Sequence, residues 1–465
     1  MLTGDEYREL AAEAYANAGL NPADYPFPLM KDTANTDWYD KFFRNGLTML
    51  HDLSFSGGNE RTRYFISGAY FKEKKTMIAN DNERLSIRMN LDQRINKRLS
   101  LAFKMGGSYN RNNLFLPQSD YYTNRPNINP YNADGSYALY DSVTGYRFLN
   151  RLAYAAQNDF NQRTFAVNGN VSATLKLIDG LEFTTTNGLD FFNIREDEYE
   201  SRKNWSGMDI DGKPVGYARR AQTNYLRWIS INRLNYAKQF GAHLVEALIG
   251  SEAMDGRRNS LYAFGSNFAN DDIREISFAP EETQRAGSSV EEESALSGFS
   301  RVSYTYDKRF AALFNLRRDG NSRFGKDVAW GTFASAGVAW TVSNEAWWKS
   351  KTIDFVKVKA SYGTNGNSRV GNYASKGLYS FDEEYSYNGQ PGAVMTTGEN
   401  PAFSWETTRM FNTGINLSIL KRISVELEGY RNTTSRLIDN VDVSRTTGRR
   451  RLTRIWAACA IPGWN

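Results

Sequence analysis

Few side chains in this sequence could do covalent chemistry. It holds two histidines, His51 and His243, and a single cysteine, Cys459. The histidines lie far apart without a companion motif, which disfavours Ser-His-Asp catalysis and most zinc sites. One cysteine supports neither a disulfide framework nor a cysteine-based metal site. A lipase or protease would need a nucleophile beside a base; none is visible, so no catalytic residue is assigned and the chain is read as no enzyme. The run RRDGNSRFG (317–325) gathers Arg317, Arg318 and Arg323 around two glycines, but lacks the Gly-Lys-Ser/Thr ending of a phosphate loop. It reads instead as a strand end entering a loop. Glu291, Glu292 and Glu293, with Asp271 and Asp272, could chelate calcium through carboxylates. Without EF-hand spacing a solvated loop is the plainer account, and no metal or cofactor is assigned. Long polar segments carry Tyr121, Tyr122, Tyr131, Tyr137, Tyr140, Trp205 and Tyr217. Aromatic faces suit sugar rings and peptides, so Tyr121, Tyr122, Tyr131, Trp205 and Tyr217 are the candidate substrate contacts. Packing of the loops against one another is the competing account.

The elements that would position these residues are strands. In the stretch 164–191, Phe165, Val167, Val171, Ala173, Leu175 and Leu177 alternate with Thr164, Asn168, Asn170, Ser172, Thr174 and Lys176. Alternate side chains of a strand face opposite ways, so one face is apolar and the other polar. The return run keeps the parity: Leu181, Phe183, Leu189 and Phe191 oppose Glu182, Thr184, Thr186 and Asp190. Ile178-Asp179-Gly180 fits a three-residue turn with Gly180 at positive φ, pairing Leu177 with Leu181. Similar hairpins turn at Asn96-Lys97-Arg98, Asp307-Lys308-Arg309 and Leu420-Lys421-Arg422. About fourteen strand candidates follow, beginning near 50, 62, 84, 99, 164, 181, 223, 243, 295, 310, 332, 354, 406 and 423, longer than soluble norms. Those near 223–240 and 243–265 alternate poorly and rest on spacing. Short and long connections alternate along the chain, so all the long ones fall at one end, as in outer-membrane barrels.

Composition agrees. No run of 18 or more apolar residues occurs, and mean hydropathy is −0.59, which excludes a transmembrane helix but not a barrel whose oily surface sits on every second residue. A net charge of +5, with 57 basic and 52 acidic residues interspersed, leaves no basic stripe for nucleic acid. Near the start, Thr3 and Glu6 have capping-box spacing ahead of an apolar stripe ending at Gly19, so residues 1–19 read as a helix. Pro22, Pro26 and Pro28 then mark an extended linker. The N-terminus has no basic segment followed by an apolar one, hence no signal peptide is expected.

Several segments resemble the SusC/RagA type of TonB-linked outer-membrane transporter, in that family's order. They are Thr36-Asp37-Trp38 with LSFSGGNERTRYFISGAYFKEKKTMIANDNERLSIRMNLDQRINKRLSL (53–101), GFSRVSYTYDKRF (298–310), RRDGNSRFG, WGTFASAGVAW (330–340), and VKVKASYGTNGNSRVGNYA (356–374). Asn400-Pro401 with Trp405-Glu406 completes the set. The resemblance covers residues 1 to 450. It implies an all-β fold: an antiparallel transmembrane β-barrel, here partial, about 14 strands of a barrel of about 22, with a short N-terminal helical remnant of the plug. It implies import of glycans or peptides beneath a SusD-like surface lipoprotein, driven by a TonB complex, in the outer membrane of a Gram-negative bacterium. Outer-membrane lipid and lipopolysaccharide would surround it, the latter's phosphates meeting the RRDGNSRFG arginines.

The expected organisation is 1–36 as end of plug and linker, 37–448 as partial barrel, and 449–465 as a frameshifted or disordered tail. Past Gly448 the alternation collapses. Codons for Ile455–Asn465 can be written so that a shifted frame reads MGGLRNTGLE, which resembles the family's continuation. Active transport is expected to be lost in this truncated chain. The alternative is a soluble or surface β-rich glycan-binding protein, whose oily strand faces would be buried between sheets.

Overall fold

The computed structural model describes residues 2–21, 34–113, 115, 124–140, 147–388, 390–442, 451–456 and 459–464. Helix α1 (Gly4–Asn17) has the expected capping box, Thr3 and Glu6 satisfying each other's backbone N–H groups, and ends before Gly19 at φ +73°. A short helix α2 (Trp38–Phe42), capped by Asp37, leads into the strands.

Twelve strands then run in chain order, each antiparallel to its neighbour: β1 (Leu47–Gly58), β2 (Thr62–Lys74), β3 (Asp81–Arg94), β4 (Leu99–Asn113), β5 (Asp159–Ile178), β6 (Leu181–Glu200), β7 (Tyr217–Phe240), β8 (His243–Ser266), β9 (Arg285–Tyr306), β10 (Phe310–Asn321), β11 (Trp330–Thr341) and β12 (Ile353–Asn367). A loop hairpin of β13 (Leu378–Tyr387) and β14 (Gln390–Thr397) intervenes, and the sheet resumes with β15 (Glu406–Ile419) and β16 (Ile423–Ser435). These fourteen sheet strands begin within about ten residues of the expected positions. A second small hairpin joins β17 (Leu437–Asp442) to β18 (Arg451–Trp456), and β19 (Cys459–Trp464) pairs with β16. The sheet is open: among the described residues β1 pairs with β2 alone and β19 with β16 alone.

The oily rows face outward. Leu85, Ile87, Val171, Leu189, Val302, Phe314, Phe411 and Leu427 are all roughly half exposed. Among the described residues no second sheet covers them, so they are not the core of a sandwich. Most of the buried apolar side chains gather instead at the long-loop end. The largest cluster packs Trp38, Phe42, Phe115, Phe148, Leu152 and Trp205 together, with α3 (Arg151–Gln157) inside it. Two smaller ones surround Phe268 and Phe403.

Two expectations are corrected. At the 178–180 turn Ile178, not Leu177, pairs with Leu181, and the register shifts between Lys176 and Ile178. Leu177 is thus the extra residue of a bulge, while Gly180 does take φ +81°. Strands β5, β7 and β9 also start earlier than their alternation indicates, at Asp159, Tyr217 and Arg285. Above the oily band both faces of a strand meet water, so nothing there enforces alternation.

Candidate functional site

The inward face of the sheet is polar, and its chemistry is set by strand parity. Asn168 and Asn170 on β5, Asp190 and Phe192 on β6, and Tyr225 and Arg227 on β7 line a groove of about 1220 Å³. Arg227 donates to Asp190 through Nε at 3.1 Å and Nη2 at 2.5 Å, and Phe192 stacks on Tyr225 at 4.9 Å. Ser172 with Thr186 (2.8 Å) and Thr174 with Thr184 (3.2 Å) continue the polar ladder. Across the sheet Lys359 bonds Glu426 at 2.7 Å and also pairs with Glu428. Asp190, Thr184 and Thr186 are legible as inward from the alternation of 164–191. Arg227 is not, because β7 turns Ser230 and Asn232 outward and Ile229 and Ile231 inward, blurring the pattern.

At the long-loop end Trp205 is nearly fully buried. Its indole N–H donates to the Leu139 carbonyl at 2.7 Å, Tyr140 meets its ring edge-on at 5.1 Å, and the Arg147 guanidinium lies over it at 4.0 Å. This is the geometry of loop packing. Tyr131 is partly exposed and lies 5.4 Å from Tyr137, its bridge partner across a tight loop. Tyr217 stacks on Phe264 at 6.0 Å, and its hydroxyl reaches the Met208 carbonyl at 3.4 Å. Tyr121 and Tyr122 lie outside the described residues. A second cavity, of about 330 Å³, opens below this cluster between Phe115, Arg151, Tyr154 and the inward carboxylates Glu196, Glu198 and Glu200. Burial, and then the neighbouring Glu198, push the Glu200 carboxyl up; Arg151 opposes them.

The suggested calcium ligands do not converge. Asp271 accepts from the Tyr199 hydroxyl (2.7 Å), the Ser201 hydroxyl (2.9 Å) and the Arg202 N–H (3.0 Å), joining two loops. Burial alone would raise its pKa, but these three donors outweigh it and hold the carboxyl below its usual range. Glu293 pairs with Arg323 and accepts from Tyr225, Glu291 accepts from Asn372 at 3.3 Å, and Glu292 faces Arg257 at 3.5 Å.

The RRDGNSRFG arginines divide by parity. Arg317 is turned inward onto Asp319 (2.6 Å), Ser297 (3.0 Å) and Glu252 (3.3 Å). Arg323 ties Glu293 to Asn372 and the Ser368 carbonyl. Arg318 lies over the Trp330 ring at 5.4 Å. Two of the three are therefore committed to the protein's own groups. Unlike the sequence, the structure also gives His243 a partner: its Nδ1 lies 2.7 Å from the Tyr304 hydroxyl.

The model of the TonB dependent receptor-like β-barrel matches residues 115–455. TonB-dependent receptor P3 of Formosa agariphila is 30% identical over 85% of this chain and 41% of its own length. TonB-dependent receptor SusC of Bacteroides thetaiotaomicron is 25% identical over 95% of this chain and 46% of its own. The RagAB peptide transporter superposes on 100% of this chain and 56% of its own, with a TM-score of 0.84 at 24% identity, a likeness of fold. The chain spans less than half the length of these curated relatives.

Proposed function

Since the chain belongs to the TonB-dependent receptor-like β-barrel family, we propose that it contributes the barrel of an outer-membrane importer of glycans or peptides. The observation that carries this reading is the division of the sheet: half-exposed oily rows outside, a hydrogen-bonded polar lumen inside, and the longest connections, after β4, β6, β8 and β12, at one end. Such a wall does no bond-breaking; it binds cargo and lets it pass. Cargo enters from the loop end, where Tyr131 and Tyr217 offer aromatic contact and Trp205 holds the surface that presents them. A SusD-like lipoprotein covers that end, and a TonB complex supplies the energy for passage in the intact protein. The glycan arm rests on the resemblance of the sequence segments to the SusC/RagA type, and the fold of the RagAB peptide transporter supports the peptide arm.

The test is retention of labelled oligosaccharides and labelled peptides by the chain in outer-membrane vesicles. Tyr131→Ala and Tyr217→Ala should weaken retention of one of the two ligand sets severalfold while strand content stays unchanged. Equal retention by the wild type and both variants would remove these residues from the cargo path. No retention of either set would remove the cargo classes.

A further inference from the structure

One row of the outer surface repeats a positive charge where sheets avoid it. Arg111 on β4, Arg163 on β5 and Arg195 on β6 are direct cross-strand partners. Directly opposed side chains have Cβ atoms about 5 Å apart, and like charges so placed repel. All three share the outward parity, Arg111 with exposed Tyr109, Arg163 with exposed Phe165 and Arg195 with exposed Leu189.

The available carboxylates do not neutralise this row. Glu83 is next to Arg111 across the β3–β4 pair, but it bonds Lys72 at 2.5 Å on its other side. Asp197 lies 3.5 Å from Arg195 and is shared with Arg220 at 3.4 Å. Among the described residues Arg111 and Arg163 have no hydrogen-bond or ion-pair partner. The row from β2 to β6 thus reads Lys72, Glu83, Arg111, Arg163, Arg195 and keeps an excess of positive charge.

Its height on the wall says what could balance it. From Phe165 to Leu175 the outward side chains of β5 carry no charge. Those residues advance about 33 Å along the strand, or about 25 Å of depth at a tilt of about 40°, the thickness of a barrel's apolar band. Arg163 is the next outward residue above Phe165, on the long-loop side. The arginines therefore stand at headgroup level, over an aromatic pair, on the leaflet that faces the loops.

We propose that Arg111, Arg163 and Arg195 form a binding strip for the phosphates of an outer-leaflet glycolipid, bound from the bilayer side. Guanidinium forks match phosphate oxygens in pairs, and an anion seated between the strands turns mutual repulsion into shared attraction. The strip rests on the outer-membrane reading above, and it replaces Arg317 and Arg323, which the lumen and loops have already engaged, as the lipid-phosphate contact.

The experiment reconstitutes the full chain, R163Q and the triple variant R111Q/R163Q/R195Q into neutral phosphatidylcholine vesicles, with or without bis-phosphorylated lipid A. Dephosphorylated lipid A and inorganic phosphate serve as further arms. In neutral vesicles R163Q should raise the denaturation midpoint, since it relieves repulsion on both sides. With bis-phosphorylated lipid A the order should reverse. Lipid A retention should fall about fivefold for each arginine removed, with no such difference for the dephosphorylated lipid. Inorganic phosphate at millimolar concentration should not displace the lipid; if it reproduces the whole stabilisation, the site is one for free phosphate and the lipid proposal fails. Equal retention and unchanged order in all vesicles would overturn the strip alone. A chain that does not enter neutral vesicles would overturn the outer-membrane reading and the strip with it.

Discussion

Single residues at the loop end decide how firmly that end is held. Trp205 is buried among Tyr140, Arg147 and the Leu139 carbonyl. Trp205→Ala should destabilise the loop cluster by about 3–5 kcal/mol, seen as faster limited proteolysis between 124 and 216 with strand content intact. Trp205→Phe, which loses chiefly the hydrogen bond, should cost about 1 kcal/mol. Asp271 gives the cluster a pH limit. Its folded pKa lies below the ordinary 3.8, so the stabilisation is complete above that value and is lost as pH falls through the lowered one. Protease resistance of the 201–216 and 267–284 loops should hold from neutrality to about pH 4 and collapse only in stronger acid, and Asp271→Asn should remove that step. Glu200 behaves oppositely. A raised carboxyl pKa means that its charge opposes the fold at neutral pH, an opposition relieved as pH falls through the folded value. Glu200→Gln should therefore raise the thermal midpoint at pH 7 and have little effect in acid.

At the scale of the strand, adjacent residues have opposite fates. Val171 is half exposed outward in the middle of the apolar band, and Asn170 lines the lumen beside it. Val171→Arg should cost about 2–4 kcal/mol of stability in lipid vesicles, while Asn170→Arg should be tolerated. Equal losses in denaturant titrations would mean that the two faces share one environment. The β5–β6 turn is equally specific. A Cβ on Gly180 would lie 2.6 Å from the Ala237 carbonyl oxygen, in a residue at φ +81°. Gly180→Ala should therefore destabilise the hairpin by more than the about 1 kcal/mol of a Gly-to-Ala conformational mismatch. Asp307, Lys308, Leu420 and Lys421 hold positive φ without being glycines. That is why those two turns, unlike the one at Gly180, carry no glycine signal in the sequence.

At the scale of the molecule, the open sheet leaves β1 and β19 with edges unpaired among the described residues. In hydrocarbon each unpaired backbone group costs several kcal/mol, so on entering a bilayer the two edges must pair, with each other or with those of a second copy of the chain. Topology can be checked with single cysteines in a Cys459→Ser background. A thiol at Tyr131 should react with an impermeant reagent from outside the cell, one at Asn170 with small polar reagents only, and one at Val171 with lipophilic probes.

The sequence alone determined fourteen of the fifteen strands of the main sheet, their hairpin order, the inside and outside of β5 and β6, and the end at which the longest loops gather, but not β19 or the two loop hairpins. It could do so because a bilayer outside and water inside impose a period of two on every crossing strand, and tight turns fix parity from one strand to the next. It did not reveal how far strands rise above the membrane, where both faces are wet, nor the parity of β7, whose outward Ser230 and Asn232 break the rule. Only the tertiary structure decided which polar residues meet. Asp190 with Arg227, Asp271 with Tyr199, and the row of Arg111, Arg163 and Arg195 bring together side chains from separate strands and loops. Those meetings depend on register across the sheet, a quantity that no local window of sequence contains.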